Sequence, residues 1–126
     1  MAGAFVYGQP DPKSVVGLEN HAFTAYCGRV CDILGLELSL VLSDKRHHRV
    51  VKTRQMLMAI AAVELQWTLM KVGDFFGRDH TTVVHAKKEI SNRIELGDGG
   101  AWFEACARAC SLAFEETYKT KISNLF

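Results

Sequence analysis

The run Asp79-His80-Thr81-Thr82 sets a carboxylate, an imidazole and two hydroxyls side by side, and His85 and Lys88 follow at helical spacing. Upstream, residues 44–54 (DKRHHRVVKTR) hold Lys45, Arg46, Arg49, Lys52 and Arg54 against Asp44, a local charge of +4. Two chemistries could use such groups. A catalytic or metal centre would want the histidines on one helix face, but His80 and His85 are five apart, unlike the i, i+4 pair of a zinc helix, and no nucleophile accompanies them. Recognition of duplex DNA fits better. A carboxylate accepts from cytosine N4, a threonine methyl packs on the thymine methyl, and Lys and Arg neutralise phosphates without reading sequence. A long arginine on a loop can also enter a narrow A·T minor groove, where the potential is most negative.

These side chains need a frame that holds them. Both prolines, Pro10 and Pro12, lie near the N-terminus, so nothing after residue 12 breaks a helix by ring geometry. The expectation is an all-α fold. Residues 1–17 read as an irregular lead-in, and Phe23, Cys27, Val30 and Leu34 share one face of a first helix from about Leu18, stopped by Gly35. The alternating stretch GLELSLVLSD has no partner strand and reads as a helical turn packed by Leu38, Val41 and Leu42. Arg54 to Gln66 is apolar nearly all round, the pattern of a central buried helix.

Thr68 is placed to cap a short helix, LMKVGDFF, that ends near Gly77, and Asp79 to cap the next, about His80 to Leu96. Two helices joined by a tight turn make a helix-turn-helix. At 100° per residue, Val83, Ala86, Ile90 and Ile94 of the second helix cluster on one side and Thr81, His85, Lys88 and Asn92 on the other. GDGG at residues 97–100 is a break, after which Trp102, Phe103, Cys106, Cys110 and Phe114 stripe a final helix. That stripe either folds back on the bundle or forms a homodimer interface.

Composition narrows the classes further. The chain has 126 residues, 48% hydrophobic and 23% charged, enough for one packed domain. The net charge of +1 averages over the +4 segment, a +2 stretch at residues 71–93 and acidic flanks. The N-terminus has no signal-peptide pattern and the apolar run Met56–Val63 is too short to span a bilayer, so a cytoplasmic location without membrane association is expected. The pairs Cys27/Cys31 and Cys106/Cys110 read as small reduced core residues rather than a metal site or disulfide. No cofactor is called for.

The run GRDHTTVVHA at residues 77–86, with RQM at residues 54–56, the VGDFF segment and a basic loop before them, resembles the C-terminal DNA-binding domain of DnaA, the bacterial replication initiator. The resemblance covers residues 18–96 and implies an all-α helix-turn-helix bundle that recognises the DnaA box, an A·T-rich element in double-stranded DNA. It implies base contacts from Asp79, His80, Thr81 and Thr82 in the major groove and from Arg46 in the minor groove, and backbone contacts from Arg54, Gln55 and His85. The charges of Lys45, Arg49 and Lys88 add phosphate contacts to that set.

The chain departs from the pattern in places. One glycine, Gly77, stands before Arg78 where two are usual, a lysine common in the long helix is replaced within Ala61–Val63, and His47 and His48 stand where arginines or serines are common. The segment after Gly97 has no counterpart. No GxxxxGK[ST] motif is present and no room is left for an ATPase domain, so the expectation is a stand-alone regulator of replication initiation or transcription that binds no nucleotide, not a complete initiator and not an enzyme. The alternative is a helical interaction module, of phage or plasmid type, that modulates the host initiator. Substitution at Arg46, Asp79 or Thr81 would be its mark, and none is present.

Overall fold

The computed structural model describes residues 12–97 and 99–126, the side chains of residues 12–16 excepted. Among these residues every regular element is helical. Helix α1 spans Pro12–Leu34, α2 Leu38–Val41, α3 His48–Ala59, α4 Leu69–Phe76, α5 His80–Leu96 and α6 Gly100–Tyr118. The first helix begins earlier than expected. Proline has the fixed φ of a helical first residue and lacks only an N–H that would go unpaired there, so Pro12 starts α1 where an irregular lead-in to residue 17 was expected. The rest of that lead-in, residues 1–11, lies outside the described residues.

Helix α3 is the hub. Met56, Leu57, Met58, Ala59, Ile60 and Ala61 are all buried, as a helix walled in by α5, α6 and α2 requires. Its start differs from the expectation, because the helix opens at His48, inside the basic segment. Exposed cations tolerate a helix as readily as a loop, and burial of Val50, Thr53 and Arg54 decides for the helix. Its end differs too. From Ile60 to Glu64 the turns widen to a π-helix, with Leu65 N–H donating to the Ile60 carbonyl at 3.1 Å. Beyond it, the Glu64 carboxylate accepts the amides of Ser123 and Leu125 at 3.0 and 2.9 Å and that of Asn124, which pins the C-terminal tail across the end of α3.

Helix α6 lies on α1 and α3. Of the expected stripe, Cys106, Cys110 and Phe114 are buried within the chain, together with Ala109 and Ala113, while Trp102 and Phe103 are half-buried. Tyr26 donates its hydroxyl to the Cys110 carbonyl at 3.0 Å and meets Phe114 edge-on with ring centroids 5.7 Å apart. The four cysteines are free and buried in this core, as their helical spacing implies. Phe23, Trp67, Phe75 and Phe76 continue it as an aromatic cluster that holds α4 against α1.

Candidate nucleic-acid interface

The helix-turn-helix is α4, the turn Gly77-Arg78-Asp79 and α5. Thr68 accepts the Lys71 amide at 3.1 Å and so caps α4. Gly77, with φ +67°, takes the left-handed conformation that ends α4, and the Arg78 amide donates back to the Gly73 carbonyl at 2.8 Å. This close return requires Gly73. A Cβ there would stand 2.4 Å from the Arg78 carbonyl oxygen. Asp79 Oδ1 then accepts from the Thr82 amide at 3.0 Å and the Thr82 hydroxyl at 3.1 Å, and these bonds hold its carboxyl below the usual range, the amide contributing most.

With its N-terminus fixed this way, α5 buries Val83, Ala86 and Ile90 against α3 and α4. The opposite side carries His80, Thr81, His85, Lys88 and Asn92, all exposed. Glu89 accepts from Lys52 at 3.1 Å and from Arg93 at 2.8 Å, which clamps α5 to α3 and holds the Glu89 carboxyl below its usual range, mainly through Arg93. Lys52 and Arg93 thus share a single carboxylate, whereas Lys88 is exposed and pairs with no acid among the described residues.

The basic loop, residues 42–47, lies beside the turn and is held by two arginines. Arg54 donates through Nε to the Val41 carbonyl at 2.7 Å and through Nη2 to Lys45 at 3.0 Å and Leu40 at 3.4 Å. Arg78 donates to the Ser43 carbonyl at 2.8 Å and to Phe76 at 3.1 Å. The result is an open cleft of about 410 Å³ lined by Asp44, Arg46, Val51, Arg54, Gly77, Arg78 and Thr82. Arg46 from the loop and Thr82 from the first turn of α5 thus share one site.

Not every expected contact residue is available to a ligand. Arg54 is only 6% exposed and its guanidinium is bonded to loop carbonyls, so in this structure the expected phosphate contact holds the loop in place. Burial, followed by the neighbouring Arg78 charge, lowers its pKa, as expected of a cation held by neutral acceptors. Gln55 is half-buried beside it, with Oε1 enclosed and unpaired among the described residues. Lys45 and Arg46 are exposed on the loop, and Arg49, exposed at the start of α3, lies with its guanidinium carbon 4.8 Å from the Trp102 ring centroid. Arg78, Gly73 and Trp102 were not foreseen as site residues. A glycine inside a helical pattern and an arginine beside a cap were the available signals for the first two.

The profile of the family described as "Bacterial dnaA protein helix-turn-helix" matches residues 28–90, from the middle of α1 to the buried part of α5. Chromosomal replication initiator protein DnaA of Thermoanaerobacter sp. (strain X514) is 39% identical over 66 residues, 52% of this chain and 15% of the relative. The proteins of that name from Thermoanaerobacter pseudethanolicus and Caldanaerobacter subterraneus subsp. tengcongensis match with the same identity and extent. The alignment thus spans about 15% of the length of these curated relatives. Helix α6 falls outside the matched residues. With half of its residues matched and the turn, caps and buried faces of the motif all in place, the chain belongs to the bacterial DnaA helix-turn-helix family, a family of DNA-binding modules.

Proposed function

We propose that the chain binds double-stranded DNA at A·T-rich, DnaA-box-like sites and acts as a cytoplasmic regulator of replication initiation or transcription. In this reading α5 enters the major groove, where Asp79, His80, Thr81 and Thr82 meet base edges, and Arg46 enters the adjacent minor groove. Lys45, Arg49, Gln55, His85 and Lys88 hold phosphates and set the register. Arg54 and Arg78 do not read DNA; they fix the loop relative to α5. The observation that carries the proposal is the common cleft of Arg46 and Thr82, because it joins the groove-reading helix to the basic loop, where Lys45 and Arg46 are exposed.

The test is selection of binding sites from random duplex DNA, followed by titration of the wild type and Thr81→Ala on the selected and a scrambled duplex. An A·T-rich consensus should emerge, and Thr81→Ala should weaken the selected site by about 1–3 kcal/mol and the scrambled one hardly at all. A consensus of another kind, or equal losses on both duplexes, refutes the proposal.

A further inference from the structure

Several cations near the candidate interface are fixed by acids. Lys52 and Arg93 share Glu89, and elsewhere Arg29 of α1 pairs with Glu116 of α6 at 2.8 Å. Arg49 is held differently. No carboxylate among the described residues pairs with it, and its guanidinium lies over the face of Trp102. A carboxylate would orient the group and cancel its charge. An aromatic face orients it and leaves the charge and the N–H edges facing outward.

The arrangement is built into the helix seam. One turn further along both helices, Cys106 Sγ donates to Thr53 Oγ1 at 3.8 Å in the buried α3–α6 contact. In the same register, the residue four earlier on α6 lies against the residue four earlier on α3. The ring's Nε1 is buried with no acceptor among the described residues, a cost that phenylalanine or leucine would not incur. A role confined to filling space gives no reason for tryptophan here.

We infer that Trp102 is a positioning residue for phosphate binding: α6, outside the segment matched by the family, presents its ring to hold Arg49 beside the basic loop. The inference rests on the DNA-binding reading above and adds to it a function for the final helix. Because phosphate contacts carry no sequence information, loss of the ring should weaken every duplex alike.

The experiment is a double-mutant cycle with Trp102→Leu, Trp102→Phe and Arg49→Ala, titrated on a selected and a scrambled duplex at one salt concentration, with unfolding midpoints measured in parallel. Trp102→Leu should weaken both duplexes about two- to five-fold, the worth of an exposed cation–π contact, with Trp102→Phe between it and the wild type. In the Arg49→Ala background neither Trp102 variant should weaken binding further, and the unfolding midpoint of Trp102→Phe should be unlowered. Wild-type affinity in Trp102→Leu, or a loss that persists without Arg49, overturns the inference while leaving the base-reading helix intact. A wild type that binds no duplex overturns the DNA reading itself, and this inference with it.

Discussion

Replacing Arg54 by lysine or alanine is expected to unfasten the basic loop, not merely to remove a charge from the DNA interface. The wild-type guanidinium donates to three carbonyls, at 2.7, 3.0 and 3.4 Å, on residues 41, 45 and 40. Hydrogen bonds from a charged donor are worth about 1.5–3 kcal/mol each, the longest of the three least. Alanine leaves the three carbonyls without their donor, at about 1–3 kcal/mol for each that water does not reach, so a loss of about 3–5 kcal/mol in all is expected, a large share of the ~5–15 kcal/mol that stabilises a domain. At roughly 4 °C per kcal/mol this lowers the melting temperature by about 12–20 °C. Lysine keeps the charge but lacks the planar fork that reaches carbonyls in different directions, so it should lose at least half as much. Thermal unfolding followed by circular dichroism reads this directly. Titration at low temperature, where the variants are still folded, should then show weaker binding with the salt dependence little changed, because the loop's cations still reach phosphate but the loop must be ordered at the expense of binding. If Arg54→Lys melts with the wild type while Arg54→Ala lowers only the salt slope, Arg54 is a phosphate contact and the positioning argument fails.

Removal of an exposed cation should behave in the opposite way: Lys45→Ala and Lys88→Ala should each leave the melting temperature unchanged and reduce the slope of log K against log salt by about 0.9, and unchanged slopes for both would remove the loop and the outer face of α5 from the interface. Asp79→Asn should keep the α5 cap and the fold but lose the carboxylate acceptor offered to cytosine, whereas Asp79→Ala should lose both, which separates capping from base reading when melting and binding are compared. Because the folded Asp79 carboxyl titrates below its unfolded value near 3.9, its capping contribution is complete above that value and is lost as pH falls through the lower folded one; the Asn variant should lack this part of the acid sensitivity, and identical acid unfolding of the two would count against it. Gly73→Ala puts a methyl 2.4 Å from the Arg78 carbonyl oxygen, so it should destabilise by about 1–3 kcal/mol despite alanine's better helix propensity, and a stabilised variant would show that the turn relaxes freely.

What was legible in the sequence was what is decided within one or two helical turns. Thr68, Gly77 and Asp79 act where their types imply, because caps are made by atoms three or four residues apart. The division of α5 into a buried Val83, Ala86 and Ile90 and an exposed Thr81, His85 and Lys88 follows from periodicity in the same way. Decisions made across the chain were hidden. A basic segment looks alike as loop or helix, and only Val50, Thr53 and Arg54 meeting the core set the start of α3 at His48. The π-turn at Ile60–Glu64 has no local signature, since it accompanies a carboxylate that serves the amides of residues 123–125. Arg54 illustrates the point at the site: its charge is plain in the sequence, but its acceptors are backbone carbonyls of residues 40, 41 and 45, gathered around it only when α2 and the loop fold over α3.

The two loop-holding arginines also bear on how one small domain could address both grooves. Arg54 reaches the loop from α3, and Arg78 reaches it from the turn, one residue before the cap of α5. The turn that aims α5 is therefore the same one that grips Ser43, three residues before Arg46. A link of this kind fixes the offset between the helix proposed for the major groove and the arginine proposed for the minor groove before DNA is met, and ordering that is complete in the free protein need not be supplied by the binding free energy. Gly73 and Gly77 belong to the same unit, since the return of Arg78 to Gly73 places the guanidinium against the loop as well as starting α5. On this argument a defect in the turn should weaken contacts in both grooves together, whereas a defect at Arg46 or Thr81 should weaken one groove and spare the other.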